Sequence, residues 1–200
     1  TILEGWDRQD IGAYLQQEHV TSLDEFMDAT KGMEGRLFPD TYRIYTDATI
    51  GSVVQKMTEN FNRKVTQGLA EDIQKSGRSL QDVLILASIL EREVRSEDEM
   101  RMAADLFLRR MKIGMPLQAD ATIKFVIGDK HEGVWLEDLS IDSPYNTYKH
   151  RGLPPGPIGN PGLQAIRAAL HPTPNKYLYY ITTKDDGHAV FAKTLEEHNA

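Results

Sequence analysis

Two glutamates separated by one residue, Glu91 and Glu93, stand at the end of a strongly apolar run that covers residues 84–90. A carboxyl group beside an apolar surface loses hydration, which raises its pKa and keeps it protonated near neutral pH. In that state it can donate a proton to a leaving group, and the carboxylate that remains can then accept one. The residue types and their spacing therefore indicate general acid–base chemistry.

The apolar run predicts a buried helix that directs the two carboxyl groups to different sides. At about 100° per residue, Glu91 and Glu93 lie on opposite shoulders of the apolar stripe centred near Leu90, so either carboxyl could face a cleft. A purely structural interpretation is also open, in which both glutamates pair with nearby arginines. Those arginines are Arg92, Arg95 and Arg109.

A second set of chemically useful residues lies between 114 and 162, where Gly, Pro, Asn and Tyr are frequent. A loop segment this long in a compact domain is usually functional. Its amide, hydroxyl and aromatic groups, in the segments 116–122, 145–148 and 152–158, suit a sugar, whose hydroxyls need directional hydrogen bonds and whose ring faces pack on apolar surface. The alternative is that these turns and tyrosines only pack the loop.

Helical patterns supply the scaffold for these residues. Residues 8–31 predict two short helices, with Ser22 as the N-cap of the second. Residues 50–75 predict one long amphipathic helix that ends at Ser76-Gly77. Three further helices are predicted: Leu80 to Val94 behind the N-cap Ser79, Ser96 to Ile113 before Gly114, and a short one at 162–170.

Extended chain is predicted in two regions. Residues 34–44 combine Gly, Pro, aromatics and Thr, which indicates a loop entering a strand. Near the C-terminus, the alternating residues 177–181 and the run at 188–191 predict two strands, joined by Asp185-Asp186-Gly187 as a hairpin turn.

The predicted fold class is α+β, with a helical core carrying Glu93, a small antiparallel sheet and long Gly/Pro-rich loops. A hydrophobic content of 40% in 200 residues can bury a sizeable core. We expect a single catalytic domain over residues 1–200, with a small helical N-terminal part at 1–33 and a catalytic core at 34–200.

Composition excludes several classes of function. The formal net charge is −7 and the 23 Lys and Arg residues are scattered, so a nucleic-acid surface is not expected. The absence of cysteine rules out disulfides and thiolate metal sites. No His-Glu-x-x-His pattern occurs, and His171, His188 and His198 lie far apart, so neither a metal nor another cofactor is expected.

No apolar run long enough to span a membrane occurs, and no charged-then-apolar leader precedes the first predicted helix. The chain starts at Thr1 rather than at methionine, which indicates a segment of a longer protein. Any association with a membrane is therefore expected through an anchor outside these residues.

A family pattern emerges from the order and spacing of segments at 34–42, 86–93, 117–122, 145–148, 152–158, 160–162 and 188–191. Together these segments resemble the MltG (YceG-like) family of endolytic murein transglycosylases along nearly the whole chain. In that family the second glutamate of the Glu-x-Glu pair is catalytic. The resemblance therefore assigns catalysis to Glu93 and leaves Glu91, together with Asp40, in a supporting role.

The matching segments also contain the candidate substrate-binding residues. They are Gln118, Asp120, Thr122, Tyr145, Asn146, Thr147, Tyr148 and Asn160. The resemblance implies cleavage, without water, of the β-1,4 bond between N-acetylmuramic acid and N-acetylglucosamine inside peptidoglycan glycan strands. The product would carry a 1,6-anhydromuramoyl end.

The resemblance implies a larger parent protein as well. That protein would have a single-pass N-terminal anchor in the bacterial cytoplasmic membrane and a LysM-like module before Thr1, with the catalytic domain on the extracytoplasmic side. Peptidoglycan glycan strands would be its substrate, and peptidoglycan synthases are candidate protein partners.

The chain departs from the family pattern at one residue and in one segment. Family members often have Thr after the catalytic glutamate and a Gln-Thr-Asp-Pro-Thr segment, whereas this chain has Val94 and Gln118-Ala119-Asp120-Ala121-Thr122. Any hydroxyl contact from position 94 is therefore lost, so the hydrogen bonding of Glu93 is expected to differ.

Two other functions remain open at this point. One is a conventional glycoside hydrolase, with Glu93 as the acid and Asp40, Asp120 or Asp142 as the base. The other is a non-catalytic module that binds peptidoglycan. Product masses distinguish hydrolysis from non-hydrolytic cleavage, because hydrolysis leaves an end that is one water heavier than the anhydro end.

Overall fold

The computed structural model describes residues 1–45, 47–128, 130–131, 133–183 and 187–200. These residues form α-helices and one two-stranded antiparallel sheet, which confirms the α+β class. The helices are α1 (Arg8–Gln17), α2 (Leu23–Ala29), α3 (Ile50–Phe61), α4 (Ala70–Ser76), α5 (Leu80–Glu93), α6 (Glu97–Lys112), α7 (Asp120–Ile127), α8 (Leu163–Leu170) and α9 (Leu195–His198). The strands are β1 (Tyr179–Thr182) and β2 (Ala189–Ala192).

Side-chain caps set the starts of several helices. Ser22, Ser79 and Ser96 each accept a hydrogen bond from a backbone N–H in the first turn of α2, α5 and α6. The two predicted caps, Ser22 and Ser79, are therefore confirmed, and Ser96 caps α6 in the same way. Gly77 ends α4 in the left-handed conformation, with φ of 67°, as the Ser76-Gly77 stop predicts.

The central element of the larger core is α5. Residues 83–90 of this helix are all buried, as expected for a helix that is apolar almost all round. Helices α6, α7 and α8 pack against it. The last turn of α5, which carries both glutamates, is therefore held by well-packed neighbours.

A smaller core joins the N-terminal helices to α3. Ile11 and Leu15 of α1 and Phe26 of α2 pack with Val53 and Met57 of α3. Both cores exclude water from large aliphatic and aromatic side chains, which is the main stabilising contribution in a domain of this size.

The predicted long helix at 50–75 is interrupted. Between α3 and α4 the residues Asn62–Gln67 form a wider, π-helical turn. The buried residues Phe61, Val65 and Leu69 are spaced four apart, and in a regular α-helix each such step rotates the side chain by about 40° away from the previous one. The wider turn keeps all three side chains directed into the core.

No strand forms at 34–44, so that prediction is wrong. The backbone of this segment is satisfied by other partners: Leu37 N–H donates to Asn160 Oδ1 at 2.8 Å, and Asp40 O accepts from Ile2 N–H at 3.0 Å. Because these bonds come from a side chain and from the N-terminal segment, the residues have no neighbouring strand with which to form a ladder.

The C-terminal hairpin is confirmed in its strands. Tyr180 pairs with Phe191 and packs towards the larger core, whereas Ile181 pairs with Val190 and both are exposed. Thr182 Oγ1 donates to Glu93 O at 3.1 Å, which attaches the hairpin to the end of α5. Of the predicted turn, Asp185 and Asp186 lie outside the described residues.

The described helices are all too short or too polar to cross a membrane.

One of the helices, α9, was not anticipated. It begins after Thr194, whose side chain accepts from Glu197 N–H, and it packs against both strands.

Candidate active site

Glu93 is the last residue of α5, and its carboxyl group accepts two hydrogen bonds. Oε1 accepts from Ala121 N–H at 2.8 Å, and Oε2 accepts from the Tyr180 hydroxyl at 2.7 Å. Ala121 belongs to the first turn of α7, where backbone N–H groups have no partner within the helix. The family pattern often has proline at this position. Because proline has no N–H, alanine here is what permits the first bond.

Among the described residues, the Glu93 carboxyl does not form an ion pair with any of the nearby arginines. The interpretation in which both glutamates pair with arginines is therefore wrong for Glu93. Arg92 lies 3.9 Å from Asp7, and Arg109 lies 2.9 Å from Asp105. The Glu93 carboxyl instead contacts a backbone amide and a phenol. Both are neutral donors, so among the described residues no cation in direct contact compensates its charge.

Burial of Glu93 raises the pKa of its carboxyl group above the usual range. The two hydrogen bonds and the more distant charge of Arg110 oppose this rise, whereas the negative charge of Asp120 adds to it. The balance favours the protonated carboxyl over a wider pH range than for an exposed glutamate. This is the state that a general acid requires.

Beside Glu93 lies an open cleft of about 580 Å³. Helices α5 and α6, the start of α7, the hairpin and α9 all contribute to its walls. Its lining residues are mostly polar or aromatic: Arg92, Glu93, Arg110, Gln118, Asp120, Tyr148, Tyr179, Tyr180, Ile181, Thr182, Leu195 and His198. A cleft with these walls offers hydrogen-bond donors and acceptors next to the titrating carboxyl.

Three of the predicted substrate-binding residues reach this cleft with Glu93: Gln118, Asp120 and Tyr148. The Tyr148 hydroxyl donates to Asp120 Oδ1, which fixes the two side chains relative to each other. Gln118 has a φ of 51°, in the left-handed region that side chains other than glycine seldom adopt. Such conformations cluster at functional sites, where the surrounding structure holds them.

Three other predicted residues are buried beneath the cleft. Thr147 Oγ1 accepts from Ala119 N–H at 3.0 Å and lies 2.9 Å from Thr122 Oγ1. Asn146 Nδ2 donates to Leu139 O and Ile141 O. Because all three side chains are almost completely enclosed and bonded within the protein, they hold the start of α7 and the loop that carries Tyr148.

Tyr145, Asn160 and Asp40 do not line the cleft. Tyr145 packs against Phe125, with ring centroids 5.0 Å apart. Asn160 is buried where the N-terminal segment meets the core. Asp40 accepts from Lys64 Nζ at 2.7 Å, and this ion pair lowers the pKa of the Asp40 carboxyl to about 2.

Glu91 faces the opposite side of α5 from Glu93, as their helical positions predict. Its Oε2 accepts from Gly162 N–H at 2.8 Å, and Gly162 is the N-cap residue of α8. Gly162 has no side chain that could accept a hydrogen bond from the backbone N–H groups at the start of α8. The carboxyl group of Glu91, on the neighbouring helix α5, accepts one there instead. Burial raises the pKa of the Glu91 carboxyl to about 7.

Val94 is buried in the larger core. Position 94 therefore supplies apolar packing in this chain rather than a hydroxyl. The hydroxyl that reaches the end of the helix comes from Thr182 of the hairpin, which donates to the backbone carbonyl of Glu93.

Sequence reasoning missed Arg110 and the tyrosines of the hairpin. Arg110 is buried, its Nε donates to Leu178 O at 2.7 Å, and its guanidinium lies 5.6 Å from the Tyr179 ring centroid. A signal for Arg110 existed, because it falls on the apolar stripe of α6, three residues after Phe107 and four after Leu106. A cation on an apolar stripe is either paired or functional.

No group of three or more His, Cys, Asp or Glu side chains with metal-binding geometry occurs among the described residues. His171 lies 3.5 Å from Asp72, His188 lies 2.9 Å from Glu99, and His198 stacks on Tyr179. Each of the three histidines therefore has a different neighbour.

The titration of Glu91 predicts a pH-dependent stability. Because burial favours the protonated form, the folded state gains most from this group below about pH 4.5, and the gain is lost as the pH rises through about 7. Glu91→Gln keeps an acceptor for Gly162 N–H but does not titrate. Raising the pH from 5 to 8 should lower the Tm of both proteins, as measured by thermal unfolding. We expect the decrease to be roughly 2–6 °C smaller in Glu91→Gln than in the wild type.

The matched control for this measurement is Glu196→Gln, at an exposed glutamate of α9. It should follow the wild-type curve. Parallel curves for wild type and Glu91→Gln would contradict the assignment of this titration to Glu91.

Fold and site together define a class of protein: an α+β domain that presents a partly buried carboxyl at the wall of an open polar and aromatic cleft. The chain belongs to the YceG-like family, whose model matches residues 1–200. A crystal structure of a YceG-like protein from Listeria monocytogenes matches with a TM-score of 0.92 and 29% identity, over 99% of this chain and 74% of that chain.

Curated relatives extend this similarity. The chain is 40% identical over 168 residues to the endolytic murein transglycosylase of Bacillus subtilis (strain 168), covering 84% of this chain and 46% of that protein. It is 31% identical over 172 residues to the protein of the same name from Streptococcus pneumoniae serotype 2, covering 84% of this chain and 31% of that protein. The chain therefore spans less than half the length of these relatives.

Proposed function

We propose that this chain is the catalytic domain of an endolytic murein transglycosylase. It would cleave the β-1,4 bond between N-acetylmuramic acid and N-acetylglucosamine inside peptidoglycan strands and leave a 1,6-anhydromuramoyl end. The observation that carries the proposal is Glu93, a carboxyl with a raised pKa at the wall of a cleft suited to sugars. The names of its relatives support the same activity.

The chemistry requires one residue that first gives a proton and then takes one. Protonated Glu93 donates to the glycosidic oxygen as the bond to C1 of the muramoyl residue breaks. The carboxylate then accepts the proton of the muramoyl C6 hydroxyl while the C6 oxygen bonds to C1. Because the attacking oxygen belongs to the substrate, a second catalytic carboxylate is unnecessary.

The roles of the other residues follow from their placement. Gln118, Asp120 and Tyr148 line the cleft and are proposed to contact the glycan directly. The remaining predicted residues support the site from outside the cleft, by positioning α7, its neighbouring loop and the N-terminal segment: Thr122, Tyr145, Asn146, Thr147 and Asn160, with Glu91 and Asp40.

Hydrolysis is a second candidate because Asp120 lies on the same cleft as Glu93. Of the three aspartates considered as a base, Asp40 is engaged with Lys64 and Asp142 does not line the cleft. Digestion of purified sacculi followed by mass spectrometry separates the two reactions. We expect anhydro ends; products one water heavier would show hydrolysis instead.

The parent protein is proposed to carry a single-pass membrane anchor and a LysM-like module ahead of these residues. Its catalytic domain would then act on the extracytoplasmic side of the cytoplasmic membrane, beside peptidoglycan synthases. Fractionation of cells that express the full-length protein, with protease added from outside, tests this arrangement. A cytoplasmic, protease-protected domain would refute it.

Ile181 provides a test of whether the cleft binds the glycan. Ile181 and Val190 are cross-strand neighbours with the same exposure of 54%, but only Ile181 lines the cleft. We expect Ile181→Ser to raise KM for soluble glycan strands by roughly 3- to 10-fold, as for loss of an apolar contact. Val190→Ser should leave KM unchanged.

Equal effects of the two substitutions on KM would mean that the hairpin contributes only through its own stability. Steady-state rates measured with size-fractionated strands provide the comparison. Both substituted side chains are exposed, so neither change is expected to disturb the core.

A further inference from the structure

The two oxygens of the Glu93 carboxyl have partners of different kinds. Oε1 faces the backbone N–H of Ala121 at 2.8 Å, which can only donate. Oε2 faces the hydroxyl of Tyr180 at 2.7 Å, which can donate or accept. The two oxygens are therefore not equivalent when the carboxyl gains or loses its proton.

The backbone donor selects the oxygen that carries the proton. In a neutral carboxyl group the carbonyl oxygen is the better acceptor, so a fixed N–H favours the carbonyl at Oε1 and the O–H at Oε2. Proton transfer to and from the substrate would then take place at Oε2, beside Tyr180.

From this asymmetry we propose that Tyr180 is a positioning residue for the catalytic proton. When Glu93 is protonated, the tyrosine oxygen accepts from Oε2–H or turns its own hydrogen away. When Glu93 has given its proton to the glycosidic oxygen, the Tyr180 hydroxyl turns to donate to the new carboxylate. Tyr180 itself neither gains nor loses a proton, and the only proton transferred moves between Glu93 and the substrate.

Tyr180 is held firmly enough for this role. Its ring packs edge-on against the buried Phe107, with centroids 5.7 Å apart and planes at 87°, and it also contacts Phe191 across the hairpin. Thr182, two residues further along β1, donates to the backbone of Glu93. Only the hydroxyl hydrogen has to move during the reaction.

The proposal rests on the proposed function for its substrate, but its central claim is a hydrogen bond to Glu93. Tyr180→Phe removes that bond and keeps the ring. Losing a donor to the carboxylate makes ionisation harder, so the pKa of Glu93 should rise and the alkaline limb of the pH–rate profile should move to higher pH. We also expect the rate of sacculus cleavage to fall about 10- to 100-fold.

Two measurements test this on the folded protein. The first is the pH–rate profile for release of anhydromuropeptides from sacculi. The second is an NMR titration of protein labelled with ¹³C at the glutamate carboxyls, with the Glu93 signal assigned by its loss in Glu93→Gln. The matched control is Tyr177→Phe, whose ring also packs against Phe191 but whose residue does not line the cleft; it should leave both measurements unchanged.

The outcomes distinguish a failure of the role inferred for Tyr180 from a failure of the proposed function. An unchanged titration of Glu93 in Tyr180→Phe would overturn the role of Tyr180, whatever the activity. A wild-type protein that cleaves no sacculi would overturn the proposed function, while the NMR titration would still decide whether Tyr180 tunes Glu93. If the alkaline limb of the pH–rate profile moved equally in Tyr177→Phe, the effect of Tyr180 would be one of packing alone.

Discussion

Glu93→Gln is expected to lower the rate of glycan-strand cleavage by about 10³-fold or more. Glutamine has nearly the same shape and can still accept from Ala121 N–H, but its amide cannot give a proton to the glycosidic oxygen or take one from the C6 hydroxyl. In the proposed mechanism a single residue performs both transfers, so no other cleft group is expected to compensate. Release of anhydromuropeptides from purified sacculi, followed by chromatography and mass spectrometry, measures the effect.

Glu97→Gln is the matched control for this substitution. Glu97 is an exposed glutamate in the first turn of α6, four residues after Glu93, and it does not line the cleft. It should keep wild-type activity. Circular dichroism should show that both variants are folded. Normal release of anhydro products by a folded Glu93→Gln protein would show that Glu93 is not the catalytic acid.

Asn160→Ala is expected to have the largest effect on stability. The side chain of Asn160 accepts from Leu37 N–H at 2.8 Å and donates to Trp6 O at 3.0 Å and to Glu34 Oε1 at 2.9 Å. Its removal leaves Leu37 N–H and Glu34 Oε1 without their partner, whereas Trp6 O still accepts from the backbone N–H of residue 160 at 2.8 Å. We expect a cost of about 3 kcal/mol in the free energy of unfolding. For a chain of this length, Tm should fall by roughly 6–12 °C.

The same experiment distinguishes support from direct substrate contact. If Asn160 only joins the N-terminal segment to the core, the folded variant at low temperature should keep a wild-type KM. A raised KM without loss of stability would place Asn160 on the glycan instead. Asn199→Ala, an exposed asparagine near the C-terminus, is the control and should change the free energy of unfolding by less than about 0.5 kcal/mol.

Burial of Glu34 adds a further dependence on pH at this junction. Burial raises the pKa of its carboxyl to about 7, so Glu34, like Glu91, favours the folded state most strongly below about pH 4.5 and loses this effect as the pH rises through about 7. The contacts of the N-terminal segment with the core are therefore expected to weaken as the pH rises from about 5 to about 8.

Most of the helices were predictable because their signals are local. Ser79 and Ser96 accept from residues three positions further on, and Gly77 takes a conformation that few other residues adopt. The predicted strands near the C-terminus also formed, since their alternating pattern lies within each strand. The strand expected at 34–44 failed because a strand needs a partner, and no local pattern shows whether one is nearby.

The sequence by itself determined the class of the fold, the buried helix and the carboxyl pair at its end. It placed Glu91 and Glu93 on opposite sides of α5, but gave no physical reason to prefer either; that preference came from a family resemblance. Only the tertiary structure distinguished their surroundings, because the partners of Glu93 are residues 121 and 180, and that of Glu91 is residue 162.

The cleft likewise depends on contacts between distant parts of the chain. Arg110 and Tyr180 come from a helix and a hairpin that meet only in the folded protein, and Asn160 proved to bond residues 6 and 37 rather than to line the cleft. Helix periodicity and capping arise from neighbours within a few residues and can be read along the chain. Burial, the pKa of Glu93 and the choice of its hydrogen-bond donors arise from long-range packing, which local patterns do not encode.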